Sequence, residues 1–108
     1  MQLDVTTEST DPQRTVLRVV GSIDIASRDR LTAAAAQAVS DAIPELVLDV
    51  AGVTFMDSTG IGALINLAGD LNDAGGRLVL RRPSHAVRRI LEVAGLADQW
   101  IVDDDPVV

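Results

Sequence analysis

The chain has 108 residues, 47% apolar and 23% charged, with 9 basic against 16 acidic side chains and a net charge of −7 at pH 7, which fits one compact domain that buries about 60–70% of its unfolded surface. With no cysteine, no lysine and His85 as the lone histidine, thiol nucleophiles, CxxC redox pairs, structural zinc, a Walker A loop and Schiff-base chemistry are excluded. The negative balance and an aromatic content limited to Phe55 and Trp100 argue against nucleic acid as a direct partner, because neither a basic footprint nor a stacking platform is on offer.

Residues 3–8 alternate apolar and polar, and 15–20 are a β-branched run, so two strands are expected, joined as a hairpin by a turn at Asp11 and Pro12. After Gly21 the period changes. Leu31, Ala34, Ala35, Ala38, Val39, Ala42 and Ile43 share one face of a helix, with Ser27 as its expected N-cap and Pro44 as its stop. Residues 45–50, apolar on both faces, predict a buried parallel strand.

The segment 51–60 then leads into a second helix with Ile61, Leu64, Ile65, Ala68 and Leu71 on one face, ended by Gly75 and Gly76. Residues 77–81 predict another central strand. Pro83 and Ser84 open a third helix whose Val87, Ile90, Leu91 and Ala94 share a face, with Gly95 at its end. Trp100, Ile101 and Val102 are expected to add a short edge strand before an acidic tail, 103–108, that frays. The order β-β-α-β-α-β-α-β over a single domain, 1–108, implies right-handed crossovers and an α/β sandwich. Its mixed, mostly parallel sheet opens with an antiparallel hairpin.

In such sheets ligands and partners gather where strands give way to helix starts. Residues 49–62, DVAGVTFMDSTGIG, lie at such a point. Asp57 or Ser58 can cap the first backbone N–H groups of the second helix. Gly60 and Gly62 lower helix propensity by about 1 kcal/mol each relative to alanine, and leave the helix start open to close approach by another surface.

MDSTGIG at 56–62, preceded by GSID at 21–24 and LVLDVAGVTF at 46–55 and followed by GGRLVLRRPSHAVRRILEVAGL at 75–96, resembles a STAS domain of the anti-sigma factor antagonist class over nearly the whole chain. The resemblance implies a protein-interaction module without catalytic residues, metal or cofactor. Ser58 matches the family's regulatory phosphorylation site. Gly21, Asp24, Asp57, Ser58, Thr59, Gly60 and Gly62 fall on its partner-binding surface. The implied partners are an anti-sigma factor, often a serine kinase of the GHKL type, and a phosphatase. The unphosphorylated form binds the anti-sigma factor and frees a sigma factor; the phosphorylated form lets go.

The N-terminus has no basic, apolar leader and no apolar run approaches 18 residues, so a cytoplasmic chain without a membrane span is expected. Other STAS domains serve transporters and lipid-handling complexes, which is the competing role. A nucleotide-binding or hydrolysing domain built on the TGIG turn would have only Asp24, Asp49 and Asp57 to hold a metal, and Asp49 fits a structural, hydrogen-bonded position better. An aspartic protease half-site fails because Thr59 separates Ser58 from Gly60, and a serine hydrolase fails because Met56 stands where GxSxG needs glycine. His85 is expected at the first turn of the third helix as a solvated residue. Arg77, Arg81, Arg82, Arg88 and Arg89 are expected to form a solvated face paired with Asp98, Glu92 or the acidic tail. The functional alternative for them is a contact with an acidic partner or a lipid headgroup.

Overall fold

The computed structural model describes residues 2–103. Its elements in chain order are β1 (Leu3–Thr10), β2 (Arg14–Ile23), α1 (Arg28–Ser40), β3 (Glu45–Met56), α2 (Ser58–Asp73), β4 (Arg77–Arg81), α3 (His85–Ala94), α4 (Ala97–Trp100) and β5 (Ile101–Asp103). The strands form one sheet in sequential order, β1 antiparallel to β2 and the rest parallel, as the order of patterns predicts. Asp11 closes the hairpin, its Oδ1 accepting from the backbone N–H of Gln13 at 2.8 Å and of Arg14 at 2.9 Å.

Each parallel crossover steps one strand further in the same direction, and crossovers of one hand then leave every helix on one face. The core follows from that. Leu17, Leu48 and Leu80 form one row across the sheet and pack with Leu31 and Ala35 of α1, Leu64 and Leu71 of α2, Val87 and Leu91 of α3 and Trp100 of α4.

The opposite face carries three other rows. Val16, Val47 and Val79 are buried as a separate cluster that no helix residue joins. On one side of them Glu45 pairs with both Arg14 and Arg77 at 2.7 Å. On the other, Glu8 meets Arg18 at 3.2 Å and Arg81 at 2.5 Å, while Asp49 meets Arg81 at 3.0 Å and also Arg82. The long stems of these side chains shield the valines in place of a second helical layer. Among the described residues the partners of Arg77, Arg81 and Arg82 are Glu45, Glu8 and Asp49 instead of the expected Asp98 or Glu92, because parallel register sets Glu45 opposite Arg77 and Asp49 opposite Arg81 on neighbouring strands; the rest of the acidic tail lies outside the described residues. Glu45 and Asp49 feel burial raising their pKa values, but hydrogen bonds and charge from these arginines more than offset it, and both lie below the usual carboxylate range.

Several local expectations change. The strand expected over 45–50 runs on to Met56, because β2 also continues to Ile23 and the two stay paired through register shifts near Val20 and Ser22. Gly21 makes this possible: its φ is +115°, and a Cβ there would lie 2.0 Å from the Gln2 carbonyl oxygen. Ser27 stands at the N-cap position of α1 as expected, but its side chain makes no capping hydrogen bond. Its buried hydroxyl donates to the Ser22 carbonyl at 2.6 Å and accepts from the Asp24 N–H at 3.0 Å. On α2 the buried face is Gly60, Leu64, Leu67 and Leu71, and Ile65 is exposed. Ala94 is exposed on α3, whose Gly95 takes the expected left-handed conformation at φ 75°. Trp100 closes a one-turn helix and only then does β5 begin. Asp103, expected in the tail, ends β5; residues 104–108 lie outside the described residues.

Candidate functional site

The ends of β2 and β3 lie side by side, with Ile23 opposite Met56. The chain leaves β2 through a turn at Asp24–Ser27 and leaves β3 directly into α2 at Asp57. The two sequence-predicted segments therefore form one edge of the molecule.

Within the first turn Asp24 is a structural acceptor: its Oδ1 takes the N–H groups of Ala26 at 3.0 Å and Ser27 at 3.1 Å. Asp57, in extended conformation, is the N-cap of α2, its Oδ1 accepting from Thr59 N–H at 3.0 Å and Gly60 N–H at 3.3 Å. The capping position left open between Asp57 and Ser58 thus belongs to Asp57. Ser58 is the first helical residue and is exposed, and its hydroxyl has no hydrogen-bond partner among the described residues.

The two glycines separate in role. A Cβ on Gly60 would fall 2.5 Å from Met56 Cγ and 3.0 Å from Ile23 Cγ2, so this buried glycine lets α2 sit down on the ends of both strands. A Cβ on Gly62 would meet nothing within 4 Å. Gly62 lies on an open groove of about 960 Å³ between α1 and α2, shared with Ser58, Thr59 and Arg28 and edged by Asp29 and Asp70.

Two side chains outside the predicted set stand at the same edge. Ile25, in the turn after β2, is 71% exposed, and Phe55, next to last in β3, is 43% exposed. A sequence signal for Phe55 exists: strand alternation cannot turn both Phe55 and Met56 inward, and Met56 is the buried one. Ile25 has a weaker signal, an apolar residue inside a turn held by Asp24.

The carboxylates weighed for a nucleotide or metal site are each occupied: Asp24 and Asp57 by backbone N–H groups, and Asp49, 1% exposed, by Arg81, Arg82 and the Ala51 N–H at 3.2 Å. Among the described residues no group of three His, Cys, Asp or Glu side chains is placed to hold a metal. His85 is exposed at the first turn of α3.

A family described as "Mlab, STAS domain" matches residues 6–103. The chain is a STAS domain. This STAS domain is 27% identical over 103 residues to the anti-sigma F factor antagonist of Lysinibacillus sphaericus, covering 94% of this chain and 84% of that protein. Among solved structures it is similar to the anti-sigma factor antagonist SpoIIAA in its unphosphorylated form, with a TM-score of 0.79 at 26% identity over 93% of this chain and 87% of that one. It is also similar to the Bacillus cell fate determinant SpoIIAA in the phosphorylated form, with a TM-score of 0.72 at 25% identity over 93% and 90%. Among the described residues no helix of the STAS domain is long and apolar enough to cross a membrane.

Proposed function

We propose that this STAS domain binds an anti-sigma factor through the edge around Ser58 when that serine is unmodified, and releases it when Ser58 is phosphorylated, so controlling a sigma factor without doing chemistry of its own. The observation that carries the reading is the division of labour at the start of α2: Asp57 holds the cap, and Ser58 presents a free hydroxyl to solvent. A kinase can therefore modify Ser58 without dismantling the helix start, and the positive end of the helix dipole tolerates the added phosphate. Relatives named as antagonists, and a similar protein solved both with and without phosphate, support it.

In this reading the cognate partner is an anti-sigma factor with serine kinase activity, a phosphatase resets the switch, and the site of action is the cytoplasm. Phosphoserine brings about −1.5 to −2 charge and three acceptor oxygens. For scale, one unit of that charge set about 5 Å from a facing charge of like sign at an effective dielectric near 20 would cost about 3 kcal/mol, roughly 100-fold in affinity; this is the size of a purely coulombic release. Calorimetric titration of the cognate anti-sigma factor tests the proposal. Ser58→Ala is expected to bind like wild type and to resist release by the kinase, while Ser58→Asp binds more weakly at an unchanged melting temperature. Equal affinity of wild type, both variants and phosphoprotein would refute the switch.

A further inference from the structure

We infer that Ile25 and Phe55 are the apolar anchors that seat the partner over Ser58 with water excluded, so that phosphate releases the partner chiefly because it cannot be desolvated there. This rests on the proposed anti-sigma factor as occupant and names the contacts through which it holds.

Five large apolar side chains are exposed among the described residues: Val20, Ile25, Phe55, Ile65 and Val93. Ile25 and Phe55 belong to the two neighbouring chain segments that leave the carboxyl edge of the sheet, one on the turn after β2 and one immediately before the Met56–Asp57–Ser58 step. Neither belongs to the core, whose members at the ends of β2 and β3 are Ile23, Val53 and Met56. Burial of a large, rotamer-poor aromatic at the centre of a contact is the common form of a binding hot spot, and surrounding groups then serve to exclude water. The polar groups of this edge suit a hydrated rim: Asp24 and Asp57 are held by backbone N–H groups at their Oδ1 atoms and, as carboxylates, belong where water still reaches them. A hydroxyl tolerates such a dry seat, whereas a phosphate without a matched cation loses its hydration for nothing.

The partner's matching feature is an apolar depression with no arginine or lysine facing Ser58. Raising NaCl from 0.1 to 0.5 M shortens the Debye length from about 10 Å to about 4 Å, less than the roughly 5 Å of a like-charge contact, so a solvent-accessible repulsion weakens while a desolvation cost at contact does not. The two origins of release therefore differ in their response to ionic strength.

The test measures affinity of the unphosphorylated protein for the cognate anti-sigma factor, with Ile25→Ala, Phe55→Ala, Phe55→Leu and Val93→Ala, and with Ser58→Asp at 0.1 and 0.5 M NaCl. Expected are losses of at least about tenfold for Phe55→Ala and about fivefold for Ile25→Ala, partial recovery in Phe55→Leu, no change in the remote Val93→Ala, and a Ser58→Asp loss that keeps its size at high salt. Circular dichroism melts confirm that each variant is folded, and Phe55→Leu keeps the Phe55 arm informative if alanine disturbs β3. Wild-type affinity in both alanine variants overturns the anchors while leaving the Ser58 switch standing. Restoration of Ser58→Asp binding by salt overturns the desolvation origin. If wild type itself does not bind an anti-sigma factor, the functional reading fails and the occupant named here fails with it.

Discussion

Gly62→Ala separates what α2 needs for folding from what the site needs for approach. Position 62 is the fifth residue of α2, in its interior, and a methyl group there meets nothing within 4 Å. Replacing a helical glycine by alanine where there is room gains about 0.5–1 kcal/mol, mainly by restricting the unfolded chain. For a domain near this size that raises the melting temperature by about 2–8 °C. Gly60→Ala, two residues earlier, is expected to go the other way, because its methyl group collides with Met56 and Ile23 and overpacking costs about 1–3 kcal/mol. If the partner lies along the groove beside Ser58, the stabilised Gly62→Ala protein will also bind it less well. Thermal melts followed by circular dichroism, paired with calorimetric titration of the anti-sigma factor, read both effects on one sample. A melting temperature that does not rise refutes the open-space account of Gly62. A stabilised variant with undiminished affinity refutes close approach at this position.

Removing Asp49 takes the buried partner from Arg82 and one of two acids from Arg81, which keeps Glu8; Asp49→Ala is expected to cost about 1–3 kcal/mol, lowering the melting temperature by at least about 4 °C, and an unchanged melt would refute that contribution. The pKa values of Asp49, Glu45 and Glu8 are all held below the usual carboxylate range, for Glu8 chiefly by its hydrogen bond from Arg81. The folded state therefore binds fewer protons than the unfolded one, and this stabilisation is fully present above about pH 4.5 and lost as the pH falls through the lowered values. Urea unfolding at pH 7 and pH 3 should show that loss, and Asp49→Asn should make it shallower. Asp57→Ala removes both side-chain caps of α2 and is expected to cost about 1 kcal/mol, with a matching drop in melting temperature.

Hydrophobic period and turn chemistry were enough to read most of the architecture from the chain. The change from alternation to a 3.6-residue repeat after Gly21, the two-sided apolar runs at 45–50 and 77–81, and the stop at Gly95 each reflect local physics, and local physics is written in order along the sequence; α1, by contrast, ends at Ser40, short of the expected stop at Pro44 and without Ala42 and Ile43. The start of α2 was legible for the same reason, since a helix start needs a cap and a cap has a short list of residues; that a functional site lies there was implied by the resemblance of 56–62 to the antagonist family. Pairing across the sheet decided the rest. Whether β3 stops at Val50 or runs to Met56 depends on β2 having a partner to offer there, which rests on Gly21 fitting beside Gln2. The assignment of Arg77, Arg81 and Arg82 to Glu45, Glu8 and Asp49 depends on register, a relation between residues more than 30 positions apart in most cases. The different roles of Gly60 and Gly62, identical in the sequence, follow only from what stands opposite each when α2 is laid on the strand ends. Composition and period determined which elements this protein makes; the three-dimensional packing alone determined that Ser58 is free, that Asp57 holds the cap, and that Ile25 and Phe55 share the edge beside them, because those facts belong to neighbours that the chain brings together only on folding.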